Sequence, residues 1–442
     1  MLARLRRALP AALIEGTAGK ALATIADQGA VSAGNFATSI IIGRACVKEE
    51  MGLYLLGFSI VLFVTNVQTA LVSSAYIVYS PRLQGRAHAQ YTGSTLIHQL
   101  IYNAAVILGL VAGWGALTLW GGIEGLAPLL KVLAFLMVFI SLKEYARQAC
   151  FAGMRPISAF ALDAAVATIQ VGGLVGLAYY GLLSARAAYT VIGVGCAVAV
   201  SVWLFSSRRG FALGLGDAVA DFRKNWSYGK WLVACNFVYL GSNHLYPWLL
   251  AWFHGTEDTG VLGACNGVLF LANPFLLGIG NFLGPKAAHA LAEGGIEQMR
   301  RMVRKADILC AVSMGSFCVV MVVFGGWMVV LLYGHKYAGN GLLVAILALA
   351  QLPLGLTVPT NYALNALERT DAQFKSLLVS LAVTATLGLW LVMTLGPLGV
   401  ASGMFACTSA GCLYKWIVFR RWIAHRRHDT GFSEEGMGSG SH

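Results

Sequence analysis

Apolar runs of about twenty residues, separated by short polar breaks, recur from one end of the chain to the other, and a helix of that length spans the hydrocarbon core of a bilayer. Taking each run as one helix predicts spans at 20–43, 52–79, 95–121, 126–149, 158–181 and 187–206. A second set is expected at 230–253, 259–284, 304–333, 340–366, 373–395 and 398–420. Strands of a membrane barrel would instead alternate apolar and polar positions over about ten residues, and no such alternation is present. The expected fold is an all-α integral membrane protein of about twelve transmembrane helices. The longest polar interruption before the tail is SSRRGFALGLGDAVADFRKNWSYGK. It divides the chain into an N-lobe over 20–206, a cytoplasmic linker over 207–229 and a C-lobe over 230–420.

Composition agrees with the pattern. Hydrophobic residues make up 58% and charged residues 11%, against about 25% charged in an average soluble domain, and the mean hydropathy is +0.70. A formal net charge of +12 would suit nucleic acid, but the charges sit at helix ends, which excludes that partner. With the N-terminus in the cytoplasm, only Arg44, Lys48, Lys131, Arg186 and Lys336 of the 31 basic residues fall on the far side. That asymmetry predicts a bacterial inner-membrane protein with both termini cytoplasmic. Residues 1–19, with Arg4, Arg6 and Arg7, form a basic amphipathic segment expected to lie on the membrane surface as a helix over 2–14. Residues 421–442 form a basic cytoplasmic tail whose final GMGSGSH resembles an expression scar. The nine cysteines contain no CxxC pair and read as small hydrophobes, and no His or Cys cluster has the spacing of a zinc site. No metal and no cofactor are expected. The outward loops are short, so no extracytoplasmic domain is available to carry an enzyme site.

The chain also repeats itself. IIIGRACVKEEMGLYLLGFS, between the first two predicted helices, has a counterpart in LLAWFHGTEDTGVLGACNG, where Glu257, Asp258 and Gly260 match Glu49, Glu50 and Gly52. Tyr145, Ala146 and Ala149 match Tyr362, Ala363 and Ala366 in the same order and at nearly constant spacing, the mark of two parallel six-helix repeats. In ADQGAVSAGNFATSIIIGRACVKEEMGLYLL a polar first helix with a Gly-Asn-Phe step runs into an acidic loop and a Gly-x-Tyr start of the second helix. On these residues the chain resembles the polysaccharide flippase branch of the multidrug/oligosaccharidyl-lipid/polysaccharide exporter superfamily. The resemblance implies two pseudo-symmetric lobes around a central cavity open to each side in turn. It also implies a cargo of polyprenyl-pyrophosphate-linked oligosaccharide moved from the inner to the outer leaflet. Twelve helices are more similar to O-antigen or exopolysaccharide translocases than to fourteen-helix peptidoglycan-precursor flippases. The partners it implies are the lipid-linked substrate, membrane lipids and, around the transporter, a polysaccharide polymerase and glycosyltransferases, with the chain itself a monomer.

Two acids, Asp27 and Asp163, lie well inside predicted helices at nearly the same depth. A carboxylate there costs a few kcal/mol unless it faces protein or water. The pair reads either as an ion-coupling site or as hydrogen-bond acceptors for neighbouring helices. Glu144 is set apart because Lys143 and Arg147 flank it. Asn35, Asn236, Tyr239, Asn243, His244, Tyr246, Asn266 and Asn273 fall on polar helix stripes that suit either a sugar-binding cavity wall or interhelical hydrogen bonding. His98, Gln99 and Asn103 read as rim residues. Lys143, Arg147 and Arg155, with Lys20, form a basic group at the inner mouth where a pyrophosphate would enter, although the positive-inside rule predicts such charges in any case. Pro247, Pro274, Pro353 and Pro359 all fall within second-lobe helices, so bent helices are expected there. The functional expectation is a lipid-linked oligosaccharide flippase, no enzyme, with a cation-coupled multidrug antiporter as the alternative.

Overall fold

A computed structural model describes residues 17–367 and 369–435, and among them every regular element is helical. The surface helix expected over 2–14 and the terminal GMGSGSH lie outside the described residues. Each predicted span has its helix. The first six are α1 (Thr17–Ala45), α2 (Lys48–Gln68, continued through a π turn at Thr69–Ser73 and Ser74–Tyr79), α3 (Gly85–Trp120), α4 (Leu126–Ala152), α5 (Pro156–Tyr179) and α6 (Ala185–Ser207).

The seventh, α7, starts at Leu215, so the second half of the expected linker is already helical. It runs to His244 and is followed by Tyr246–Leu269, in which Gly255 is non-helical (φ 87°, ψ 179°). That break ends α7 and begins α8. A second break at Gly294 and Gly295 divides Asn273–Tyr333 into the rest of α8 and the whole of α9. A bilayer-spanning hairpin needs such reversals, and Gly255 and Gly295 (φ 60°) take backbone angles that a side chain would strain. The remaining helices are α10 (Gly341–Ala366), α11 (Thr370–Val383, a π turn Thr384–Gly388 and Leu389–Leu395) and α12 (Pro397–Glu435). By length and composition α2 to α6 and α9 to α11 are apolar enough to cross a membrane. The four others carry more polar residues or breaks.

The chain folds as two compact units. One comprises the residues up to Phe237 together with Gly255–Gly263, and the other Val238–His254 and the residues from Ala264 onward. In the first unit the turn after α1 is held by its acidic loop. Glu50 Oε2 accepts from Ala185 N at 2.5 Å and Ser184 Oγ accepts from Ala187 N at 3.2 Å, so both cap the start of α6. The matched glycines of the sequence repeat meet here: a Cβ on Gly52 would strike the carbonyl oxygen of Thr256, and one on Gly260 the carbonyl oxygen of Lys48. The two backbones cross reciprocally, as small residues allow in membranes. Lys48 Nζ spans the crossing to Glu257 Oε1 at 2.9 Å, an exposed pair of small energetic weight.

Inside the same unit a ladder of buried amides joins α2, α3 and α4. Gln68 Nε2, beside the π turn, donates to Ser73 Oγ at 2.8 Å and to Gln99 Oε1 at 2.9 Å, and Gln99 Nε2 to Asn103 Oδ1 at 3.1 Å. Ser141 Oγ closes the ladder on Asn103 Oδ1. His98, Gln99 and Asn103 are therefore interior residues and not rim residues. The reason is the start of α3 at Gly85, ten residues earlier than expected, which carries all three deep into the helix. α3 also receives the start of α7 and the residues before it: His98 Nε2 lies 2.7 Å from Ala218 O, Tyr91 Oη donates to Asn225 Oδ1 at 2.9 Å, and Ala212 N donates to Ala89 O at 2.9 Å.

Prolines mark the irregular helices of the second unit. Pro353 and Pro359 lie inside α10, where Thr357 Oγ1 donates to Pro353 O at 2.7 Å. Pro247 follows the interruption at Leu245, and Pro274 the 3-10 turn Phe270–Ala272. None of the nine cysteines is in a disulfide, and seven are buried.

The reciprocal crossing makes a sharp prediction. Gly52→Ala and Gly260→Ala each destabilise the detergent-solubilised protein by about 1–3 kcal/mol, the usual cost of overpacking. Gly29→Ala, on α1 where an added Cβ would meet nothing within 4 Å, leaves thermal unfolding unchanged or raised.

Candidate functional site

The site grows from the packing of α1 on α5, which run in the same direction. A Cβ on Gly34 would lie 3.3 Å from that of Ala167. Gln170 Nε2 donates to Thr38 Oγ1 at 2.6 Å. These pairings set Asp163 roughly one helical turn farther along the pair than Asp27. From α4, Arg147 reaches both. Its Nη2 donates to Asp27 Oδ2 at 2.7 Å and its Nε to the same oxygen at 3.2 Å, while Nε also lies 2.7 Å from Asp163 Oδ2. Lys143, one turn earlier on α4, brings Nζ to 2.6 Å from Asp163 Oδ1. The two contacts to Asp163 are close ion pairs that lack hydrogen-bond alignment.

Glu144 completes the group. Its Oε1 accepts from Gln148 Nε2 at 2.8 Å and from Arg147 Nη1 at 3.4 Å, and its Oε2 lies 3.8 Å from Lys143 Nζ. The Arg147 guanidinium also stands over the Phe151 ring at 5.3 Å. Asp27 is 0% exposed and Asp163 2%.

Two buried carboxylates and the partly exposed Glu144 thus meet two partly exposed cations, with one negative charge in excess when all three acids are ionised. Asp27 Oδ1 is buried and accepts no hydrogen bond. Unbalanced charge in such surroundings costs several kcal/mol. One more positive charge would make the arrangement neutral. The matching positions of the second lobe carry no such charges: along the match of Tyr145 with Tyr362, Lys143, Glu144 and Arg147 fall on Thr360, Asn361 and Leu364. Among the described residues no group of three or more His, Cys, Asp or Glu side chains is placed to hold a metal ion.

The structure brings together residues that the sequence suggested for two different roles. Asp27 and Asp163, the coupling candidates, share Arg147, and Asp163 also pairs with Lys143; both cations were pyrophosphate candidates. Lys20 is half-buried near the start of α1, and Arg155 is exposed at the start of α5, next to Met154 at φ 55°. Asn35 is exposed. Asn236 Nδ2 donates to Asn66 O at 3.3 Å in the first unit. In the second, Asn243 Nδ2 donates to Tyr239 O at 3.0 Å, and the Tyr239 and His244 rings stand 6.3 Å apart edge to face. Tyr246 is fully buried between Gly388 and Gly403, and Asn266 is half-buried. The side chain of Asn273 lies outside the described ones.

Sequence reasoning passed over Glu144, whose three-residue spacing from Arg147 was the available signal. It also missed Asp307, because α9 begins ahead of residue 304; Asp307 Oδ1 is buried in the second unit without a hydrogen-bond partner.

Comparison with solved structures places this architecture. The chain is similar to the "Lipid II flippase MurJ, inward closed conformation" with a TM-score of 0.75 and 12% identity, over 90% of this chain and 87% of that one. It is similar to the inward-facing conformation of a multidrug resistance MATE family transporter of the MOP superfamily with a TM-score of 0.72 and 14% identity, over 92% and 99%. A MOP superfamily transporter from Pyrococcus furiosus, described as having a binding pocket of reverse polarity, aligns with a TM-score of 0.63 and 14% identity over 91% and 94%. At these identities the likeness establishes the fold. No curated protein sequence matches the chain. Residues 84–342, more than half of its length, match the model of a family described as "Polysaccharide biosynthesis protein", and the chain belongs to that family.

Proposed function

We propose that the protein moves a polyprenyl-pyrophosphate-linked oligosaccharide, an O-antigen or exopolysaccharide repeat unit, from the inner to the outer leaflet of the bacterial inner membrane by alternating access. The observation that carries the reading is the conjunction of a polysaccharide-biosynthesis family with a fold shared end to end with transporters, one of them named as a lipid II flippase. A membrane-embedded chain of that family that has the fold of an exporter is best placed to deliver the assembled glycolipid to where it is polymerised.

The coupling role belongs to Asp27 and Asp163. The cations they pair with leave one charge to be balanced, and an ion or proton that binds there would bias one state of the transporter over another. Because Lys143 and Arg147 are held by carboxylates, Lys20 and Arg155 remain the inner-mouth candidates of the original basic group. The polar residues of α7 and α8 other than the buried Tyr246, together with Asn35, are proposed to line the path of the sugar. The same acid cluster favours a second reading, a cation-coupled small-molecule antiporter.

Deleting the gene separates the two. The flippase reading expects lipid-linked repeat units to accumulate on the cytoplasmic side and surface polysaccharide to fall, with unchanged sensitivity to cationic drugs. Normal surface polysaccharide together with heightened drug sensitivity would establish the antiporter instead. A second test concerns coupling: Asp27→Asn and Asp163→Asn should each cut export by about tenfold or more while membrane insertion is retained, since Asn keeps size and much of the hydrogen bonding. Export at the wild-type level by both variants would leave the acids a purely structural role.

A further inference from the structure

The cations of the buried cluster are occupied by acids, so a doubly charged headgroup must find its donors elsewhere. One place in the first unit brings together two cations that are in no ion pair. At the end of α2 the 3-10 turn Ser80–Arg82 follows Tyr79. Lys224 of α7 puts Nζ 4.0 Å from the centroid of the Tyr79 ring, and Arg82 puts its guanidinium carbon 5.9 Å from the same centroid. Two like charges are thus drawn to one aromatic ring from two separate helices. Among the described residues neither forms an ion pair with a carboxylate, although Asp221 is only three positions before Lys224.

The ring is itself held in place. Tyr79 meets Tyr91 at 6.4 Å and Tyr228 at 6.1 Å, both edge to face. Tyr91 is anchored through its hydroxyl to Asn225, the residue after Lys224. The anchoring fixes the part of α7 that carries Lys224 against α3, so the approach of the two cations is built into the fold and does not depend on free side chains meeting by chance. Both remain exposed. Lone basic residues at this end are what the positive-inside rule provides. Two of them converging on a braced ring, neither paired with a carboxylate although Asp221 lies near Tyr91, is a different arrangement.

We propose that Arg82 and Lys224, presented on Tyr79, form a binding site for the diphosphate group of an isoprenoid-linked substrate. The inference rests on the flippase reading and names where its headgroup is received. A diphosphate brings two phosphoryl groups to two cations. Arg82 offers a planar fork of donors and Lys224 a point charge, the two modes by which phosphates are held. Transferring such an anion toward an apolar interior without donors would be prohibitive.

The test uses the full chain in detergent, with farnesyl diphosphate as probe and farnesol, inorganic pyrophosphate and phosphatidylglycerol as comparisons. Binding is followed by titration calorimetry. Wild type should prefer farnesyl diphosphate to farnesol. Arg82→Gln and Lys224→Gln should each weaken farnesyl diphosphate binding several-fold and the double variant about tenfold or more. Tyr79→Leu should give a loss comparable to one single variant, since the cations remain but their support is gone. Arg223→Gln, next to Lys224 and without a ring contact, should bind as wild type, and unchanged thermal unfolding shows that the variants are folded. Equal binding by wild type and the double variant overturns the site and leaves the flippase reading intact. A wild type that fails to distinguish farnesyl diphosphate from farnesol overturns that reading and the site with it. Losses that are as large for phosphatidylglycerol, or that are confined to inorganic pyrophosphate, assign the site to general anionic lipid or to a free anion and overturn the substrate role.

Discussion

Arg147 holds two buried carboxylates from two different helices at once. Asp27 on α1 and Asp163 on α5 are each an expensive group to place in an apolar interior, and each is tolerable because α4 lays one guanidinium across both. The first unit is organised around that requirement. α1 and α5 must lie close enough to share a cation, which small contacts such as Gly34 against Ala167 permit. α4 must present Lys143 and Arg147 on one face, which their four-residue spacing provides. With all three acids ionised against two bases, the cluster is short of one positive charge.

The two halves of the chain have diverged around this point. They keep a common frame, visible in the tyrosine and alanines shared by α4 and α10 and in the glycines that open α2 and α8. The charges were not kept: the residues of α10 that match the α4 cations and acid are Thr360, Asn361 and Leu364. α10 has Pro353 and Pro359 within it, where α4 has no proline past its first turn. Between these two helices, charge is concentrated in α4 and internal proline in α10.

Much of the architecture was legible along the chain because a bilayer forces its solvent on the sequence. All twelve spans, predicted from runs of about twenty apolar residues, have helices at those places. Errors arose where that constraint lapses. Beyond the hydrocarbon a helix may continue on polar residues, so α3 reaches back to Gly85 and α7 to Leu215, and His98, Gln99 and Asn103 proved interior. Depth along a helix says nothing about azimuth between helices, which is why Asp27 and Asp163 were separated from Lys143 and Arg147, and Glu144 passed over. The repeat did place Gly52 opposite Gly260 in the alignment, but that two backbones would cross there requires coordinates. The π turn at Thr69–Ser73 has no proline to announce it.

If the cluster is anionic by one charge and Arg147 is what makes its acids tolerable, removing an acid and removing the arginine must have opposite effects. Thermal unfolding of Asp27→Asn and Arg147→Gln, purified in the same detergent, tests this most directly. Asp27→Asn leaves two acids with two bases and should be as stable as wild type or more so. Arg147→Gln leaves three acids with one base and should lose about 3–5 kcal/mol, the usual cost of stripping a buried charge of its partner. Equal stability of the two variants, or a larger loss in Asp27→Asn, would contradict the account.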